Sequence, residues 1–185
     1  MLEGLPGVNK RERIETSRLM LRKPTSADAE AVFSRYASVP EVTRLLGWPR
    51  HGSIEQTRAF LAYCDAEWQR WPAGPYLIES LAGHQLLGST GLGFESAITA
   101  STGYVLAKEA WGSGYATEAL GAMVNVARDL GIRRLYALCH PENAPSVRVL
   151  EKCGFEREDI PGRAEFPNLT PGQITDCLCY SRKFA

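Results

Sequence analysis

Between Tyr115 and Leu130 the apolar residues Ala119, Leu120, Met123, Val124, Ala127 and Leu130 recur at three- and four-residue steps. That spacing predicts an amphipathic helix. Just upstream, Thr102–Leu106 is a short β-compatible run carrying Tyr104, Val105 and Leu106, and Trp111-Gly112-Ser113-Gly114 makes the turn between them. The same reading assigns the rest of the chain. Arg13–Lys23, with Ile14, Leu19 and Leu21, is a strand stopped by Pro24. Thr25 and Ser26 followed by Asp28 and Glu30 start a helix that turns Ala29, Val32, Phe33 and Tyr36 inward. A short helix follows Pro40. Ser53 with Gln56 forms a second capping signal, for a helix reaching Arg70 with Thr57, Phe60, Leu61, Cys64 and Trp68 along one side. Tyr76–Glu79 and Gln85–Phe94 are strands. After the long helix come a strand at Arg134–Cys139, a helix at Asn143–Cys153, a strand opened by Phe155 and a last one at Asp176–Arg182.

The early strands run together, whereas two helices interrupt the later ones. This predicts an α/β (α+β) fold with parallel and antiparallel pairs in one sheet. Its 185 residues suit one buried core, so a loose arm over residues 1–12 and a single domain over 13–185 are expected. Lys and Arg total 21, as do Asp and Glu, and the zero balance argues against a nucleic-acid groove binder. No apolar run approaches the length of a membrane span, and MLEGLPGVNKRER lacks the apolar core of a signal peptide. A cytoplasmic protein without a membrane partner is expected. The five cysteines, Cys64, Cys139, Cys153, Cys177 and Cys179, show no paired metal-ligand spacing, so core thiols and no bound metal are expected.

Strand, glycine turn and helix in direct succession leave the first helical N–H groups unpaired, where the positive end of the helix dipole favours an anion. Gly112 and Gly114 let a phosphate come close to the main chain, although a tight turn alone also explains them. A second strand-to-helix junction reads His140-Pro141-Glu142-Asn143-Ala144-Pro145-Ser146. Asn143 is a strong N-cap there and Pro145 suits an early helical position.

The turn resembles the acyl-CoA-binding loop of the GNAT superfamily of N-acetyltransferases, Q/R-x-x-G-x-G/A, with Trp111 in the first position and both small positions matched. Trp111-Gly112-Ser113-Gly114-Tyr115-Ala116-Thr117-Glu118-Ala119 is similar to the branch of ribosomal-protein alanine and serine N-acetyltransferases. PENAPSVRVLEKCGF resembles that family's second motif, PEN-x-x-S-x-x-V-L-E-K-x-G-F. The resemblance spans roughly residues 13–182. It implies a strongly twisted mixed sheet of about six to seven strands flanked by helices, with a V-shaped opening between the fourth and fifth strands, Thr102–Leu106 and Arg134–Cys139. It also implies acetyl-CoA as co-substrate and direct transfer to an amine in a ternary complex. A protein N-terminus is favoured as acceptor over a small amine such as an antibiotic, a polyamine or an amino acid. An acyl-CoA sensor without catalysis is the alternative of another class, and a monomer or homodimer is expected.

By that resemblance the cofactor lies on Tyr104, Val105, Leu106 and on Trp111 through Thr117 (Gly112, Ser113, Gly114, Tyr115 and Ala116 between them), with Asn143 and Ser146 near the pantetheine arm and the thioester. The family's acid position is Leu150 here, and a glutamate found in some members is Leu138. Ser146 is then the candidate donor to the leaving sulfur, and Glu95, Glu79 or His84 the candidate base. Glu118 reads as structural, favouring the helix dipole. Arg148 and Lys152 can meet CoA phosphates or simply face water.

Overall fold

Antiparallel pairing builds the first half of the sheet, in which β1 (Arg13–Glu15), β2 (Leu19–Arg22), β3 (Pro75–Ser80), β4 (Leu86–Phe94) and β5 (Thr99–Leu106) are neighbours in space as in sequence. This computed structural model describes residues 10–184. Most of the expected arm, residues 1–9, lies outside the described residues. From Lys10 onward the chain is tied down: Lys10 Nζ donates to the Trp68 carbonyl at 2.5 Å, and the Tyr76 hydroxyl donates to the Arg11 carbonyl at 2.8 Å.

The strand expected over Arg13–Lys23 is a hairpin, because the Thr16 N–H donates to the Leu19 carbonyl (2.9 Å) and turns the chain. The sheet continues through β6 (Arg134–Cys139) and β9 (Ile174–Lys183) to β7 (Glu156–Arg157), while β8 (Gly162–Glu165) pairs with β9. Among the described residues nine strands therefore form where about six to seven were expected. The additions are β1, split off by that turn, and β8, a short polar strand without an alternating signal.

The first helical segment is a 3-10 turn (Ser26–Asp28), α1 (Ala29–Val32) and a π-turn (Phe33–Ala37), with Val32 and Tyr36 buried as their spacing predicts. Asp28 accepts from the Thr25 N–H (2.7 Å) and hydroxyl (2.9 Å). Next come α2 (Pro40–Thr43) and α3 (Ile54–Arg70), the latter burying Thr57, Leu61, Cys64 and Trp68. The expected capping pair is shifted by one residue, since Gln56 accepts from the Gly52 N–H (2.5 Å) and Ser53 makes no side-chain cap. The helices α4 (Tyr115–Asp129) and α5 (Ala144–Lys152) complete the set.

Successive side chains of a strand point to opposite faces. Leu106 joins α4, α5, Leu135 and Ala137 in one core, whereas its neighbour Val105 joins Tyr36, Val42 and Leu77 in another. The sheet is thus covered on both faces. All five cysteines are free and buried. Among the described residues no His, Cys, Asp and Glu cluster has the arrangement of a metal site, and no helix is long and apolar enough to cross a membrane.

Candidate active site

The site opens where a strand pair ends early. β5 and β6 run parallel and pair only at Thr99–Ser101 with Arg134–Tyr136, while β6 stays paired with β9 along its whole length. Beyond Ser101 the two strands part, which is the V between the fourth and fifth strands of the sequence reading. The edge of β5 exposed there can be assigned. The Thr90 hydroxyl donates to the Gly103 carbonyl (2.8 Å) and the Ala107 N–H donates to the Leu87 carbonyl (2.8 Å), so odd-numbered residues face β4. By the alternation of the ladder even-numbered residues face away from β4. The Thr102 N–H belongs to the last rung, with Tyr136, and the N–H groups of Tyr104 and Leu106 point into the opening. The Leu106 carbonyl does the same and accepts from Trp111 Nε1 at 2.8 Å.

The loop after β5 forms a nest of amides. Gly112 and Gly114 both have positive φ (74° and 79°), which side-chain-bearing residues rarely adopt. Gly114 is the N-cap of α4, and the first bond into the helix is the Glu118 N–H to the Gly114 carbonyl (3.1 Å). The amides of Tyr115, Ala116 and Thr117 precede that bond and are free for an anion.

An arginine that the sequence pattern did not mark holds this loop. Arg18, in the turn between β1 and β2, donates from Nη1 to the Ser113 carbonyl (2.9 Å) and from Nε to Glu118 (2.7 Å), and lies 4.7 Å over the Tyr115 ring. Burial alone would raise the Glu118 carboxyl. The Thr16 hydroxyl, the Arg18 N–H and guanidinium and the Ser17 hydroxyl outweigh it and hold the group at about 2, below its ordinary 4.5. A depressed carboxylate stabilises the fold above its unfolded value and loses that contribution as pH falls through its folded value. The melting temperature is expected to drop between about pH 4.5 and pH 2, and Glu118→Gln to flatten that part of the curve. An unchanged acid limb in thermal melts of Glu118→Gln would remove the claim.

At the second junction Asn143 caps α5, its Oδ1 accepting from the Ser146 N–H at 3.2 Å. Ser146 also faces across the opening. Its Oγ is 2.8 Å from the Tyr104 hydroxyl, which also lies 3.1 Å from the Ser146 carbonyl. Burial pushes Tyr104 well above the ordinary tyrosine range, so it stays a neutral hydroxyl. The family resemblance implies a cofactor contact for this strand residue. The side-chain bridge needs the fold to be seen.

One cavity of about 1310 Å³ joins these parts. Its wall includes Tyr104, Trp111, Gly112, Gly114 through Thr117, Asn143 and Ser146, with Arg148 and Lys152 at an exposed margin. Leu138 and Leu150 also line it, so no carboxylate or phenol stands at either position. Ser113 is exposed beside this wall, while Val105 and Leu106 line it from β5.

Three candidate bases lie elsewhere. Glu95 sits beyond β4, at the closed end of the strand pair, and accepts from the Tyr136 hydroxyl, off the cavity wall. Glu79 is taken by Arg22 (2.6 Å), which also pairs with Asp28 (2.6 Å). His84 is an exposed turn residue with φ 51°.

Comparison with known proteins agrees with this geometry. The profile of the acetyltransferase (GNAT) domain family matches residues 18–156. The chain belongs to the GNAT acetyltransferases. This GNAT domain is 32% identical over 163 residues to the uncharacterized N-acetyltransferase YoaA of Bacillus subtilis, covering 85% of this chain and 90% of that protein. It superposes on a GNAT-family acetyltransferase from Bacillus anthracis with a TM-score of 0.76 at 27% identity, over 92% of this chain and 98% of that one. It also superposes on RimL, described as a ribosomal L7/L12 α-N-protein acetyltransferase in complex with coenzyme A. The TM-score there is 0.78 at 26% identity, over 93% and 98% of the two chains. An acyltransferase on a mixed, open sheet is thus what both sequence and fold show.

Proposed function

We propose that this GNAT domain transfers acetyl from acetyl-CoA directly to a primary amine, with a protein N-terminus as the favoured acceptor. The observation that carries the reading is the run of free amides at Gly112–Thr117 beside the unpaired edge of β5. The diphosphate sits on those amides, with Arg148 and Lys152 placed to meet further phosphates. Pantetheine pairs along β5 as an added strand, and the N–H of Tyr104 polarises the thioester oxygen. Asn143 holds the arm near α5.

Transfer needs a neutral amine, a polarised carbonyl and a stabilised leaving sulfur, brought into line. Ser146 serves the sulfur. When the Tyr104 hydroxyl donates to Ser146 Oγ rather than to the Ser146 carbonyl, the serine proton is free to point at the developing thiolate. A serine hydroxyl is a weak acid, so it stabilises the sulfur by hydrogen bonding and water completes the protonation. The preference for a protein N-terminus draws on the similarity to RimL, whose acceptor is such an amine by its description.

Isothermal titration with acetyl-CoA, followed by thiol release over N-terminal peptides and small amines, tests the reading. Tight binding with amine-dependent thiol release is expected. Binding without release above hydrolysis would favour a sensor. Ser146→Ala is expected to lower kcat about tenfold, the order of one hydrogen bond to a charged group, while acetyl-CoA affinity changes little. Equal kinetics would remove Ser146 from the chemistry.

A further inference from the structure

We propose that His51 accepts the proton of the attacking amine, an inference that rests on the acetyl-transfer reading above. His51 lines the cavity from the segment between α2 and α3. Its ring stands between Trp48 (5.4 Å) and Phe60 (6.1 Å), its backbone N–H donates to the Ala37 carbonyl (2.9 Å), and Nδ1 is 2.8 Å from the buried Thr57 hydroxyl. Base catalysis at Nε2 requires the tautomer in which Nδ1–H donates to the Thr57 hydroxyl; the 2.8 Å contact allows it, and among the described residues Nε2 has no hydrogen-bond partner.

Four other acid–base groups on the wall are engaged elsewhere or closed off. Glu41 pairs with Lys108 (2.7 Å) and Glu142 with Arg44 (3.1 Å). His140 Nδ1 accepts from the Glu142 N–H (3.2 Å), which fixes the proton of the neutral ring on Nε2 as a donor. Tyr36 is fully buried, and its hydroxyl is pushed further above the ordinary range by that burial. The groups packed on His51 from the preceding loop, the π-turn and α3 are Trp48, the Ala37 carbonyl, Thr57 and Phe60, all uncharged. Burial accordingly lowers His51 below its ordinary 6.5, which keeps the imidazole neutral near pH 7.

The step balances. The amine nitrogen bonds to the thioester carbon and the C–S bond breaks. One N–H proton passes to His51 Nε2, directly or through a water, and sulfur leaves with the bonding pair. Water then protonates the thiolate, and the imidazolium returns its proton to solvent. Thr57 is a positioning residue, since its hydroxyl holds the ring in place at Nδ1.

The test uses the full chain and the amine from the panel that the wild type acetylates fastest. His51→Gln and His51→Ala are expected to lower kcat about 10²-fold, at the lower end for a lost general base, with acetyl-CoA affinity by titration unchanged. Added imidazole restores part of the rate of His51→Ala only. Thr57→Val lowers kcat while Thr57→Ser recovers it. Wild-type turnover matched by His51→Gln, or a deficit in His51→Ala that imidazole never relieves, would overturn the proposal and leave acetyl transfer standing. Absence of wild-type turnover with every amine would overturn both.

Discussion

Gly114→Glu is expected to abolish measurable acetyl-CoA binding, with a loss of more than about 10³-fold in isothermal titration. Two effects add. At φ 79° a side chain costs about 1–2 kcal/mol of backbone strain, and that strain deforms the turn that aims the amides of Tyr115–Thr117. The new carboxylate also stands where the diphosphate must sit, and like charges at contact repel most strongly where water is excluded. Gly114→Ala separates the two. It carries the strain without the charge, and is expected to lose stability by about 1 kcal/mol while keeping measurable affinity. A Cβ there would lie 3.5 Å from Arg18 Nη2, ordinary contact, so packing adds little. Unchanged affinity in Gly114→Glu would show that the diphosphate lies elsewhere.

Gly103→Val is expected to cut kcat/KM for the amine by about 10²-fold or more while leaving acetyl-CoA affinity within a few-fold. Gly103 lies on β5 in the cavity wall, and a Cβ built on it meets nothing within 4 Å. It shares a face with Val105, opposite to Leu106, so the added side chain projects toward the side of Tyr36, Trp48 and His51 and away from α5. Valine favours strands, and Gly103 is exposed, so the fold tolerates it. The added methyls displace the acceptor from its line of attack, and a misplacement of about 1 Å is worth on the order of 10²-fold. Equal loss of acetyl-CoA binding in titration would place the acceptor and cofactor sides wrongly.

The two strand-to-helix junctions were legible because they are local in sequence. Free helical amides, a glycine turn and an N-cap are all properties of a few consecutive residues, so Trp111–Thr117 and Asn143–Ser146 could be picked out. The family resemblance supplied the cofactor role proposed for them. The buried face of α4 follows from its periodicity for the same reason. What stayed hidden depends on residues far apart in the chain. Arg18 reaches Ser113 and Glu118 across about 100 positions, and Glu118 does more than favour a dipole because Thr16 and Ser17 converge on it. Tyr104 and Ser146 meet only because β5 and β6 diverge by the right amount.

His51 sits in a stretch without periodic pattern, between Trp48-Pro49 and the α3 start. Nothing local separates it from a loop histidine until Thr57 and Phe60 close around it. Glu79 and Glu95 show the converse error. A carboxylate on a central strand suggests chemistry, but Arg22 neutralises the first and the hairpin carries the second away from the opening. The strand count differed for a related reason. A turn set by Thr16 and a polar strand such as β8 carry little hydrophobic signal of their own.

The most direct measurement is a crystal structure of the chain with acetyl-CoA. The account predicts diphosphate oxygens within hydrogen-bond distance of amides between Gly112 and Thr117, pantetheine paired with the edge of β5, and the thioester beside Ser146. A fully occupied cofactor bound elsewhere, with those amides facing only water, would contradict it.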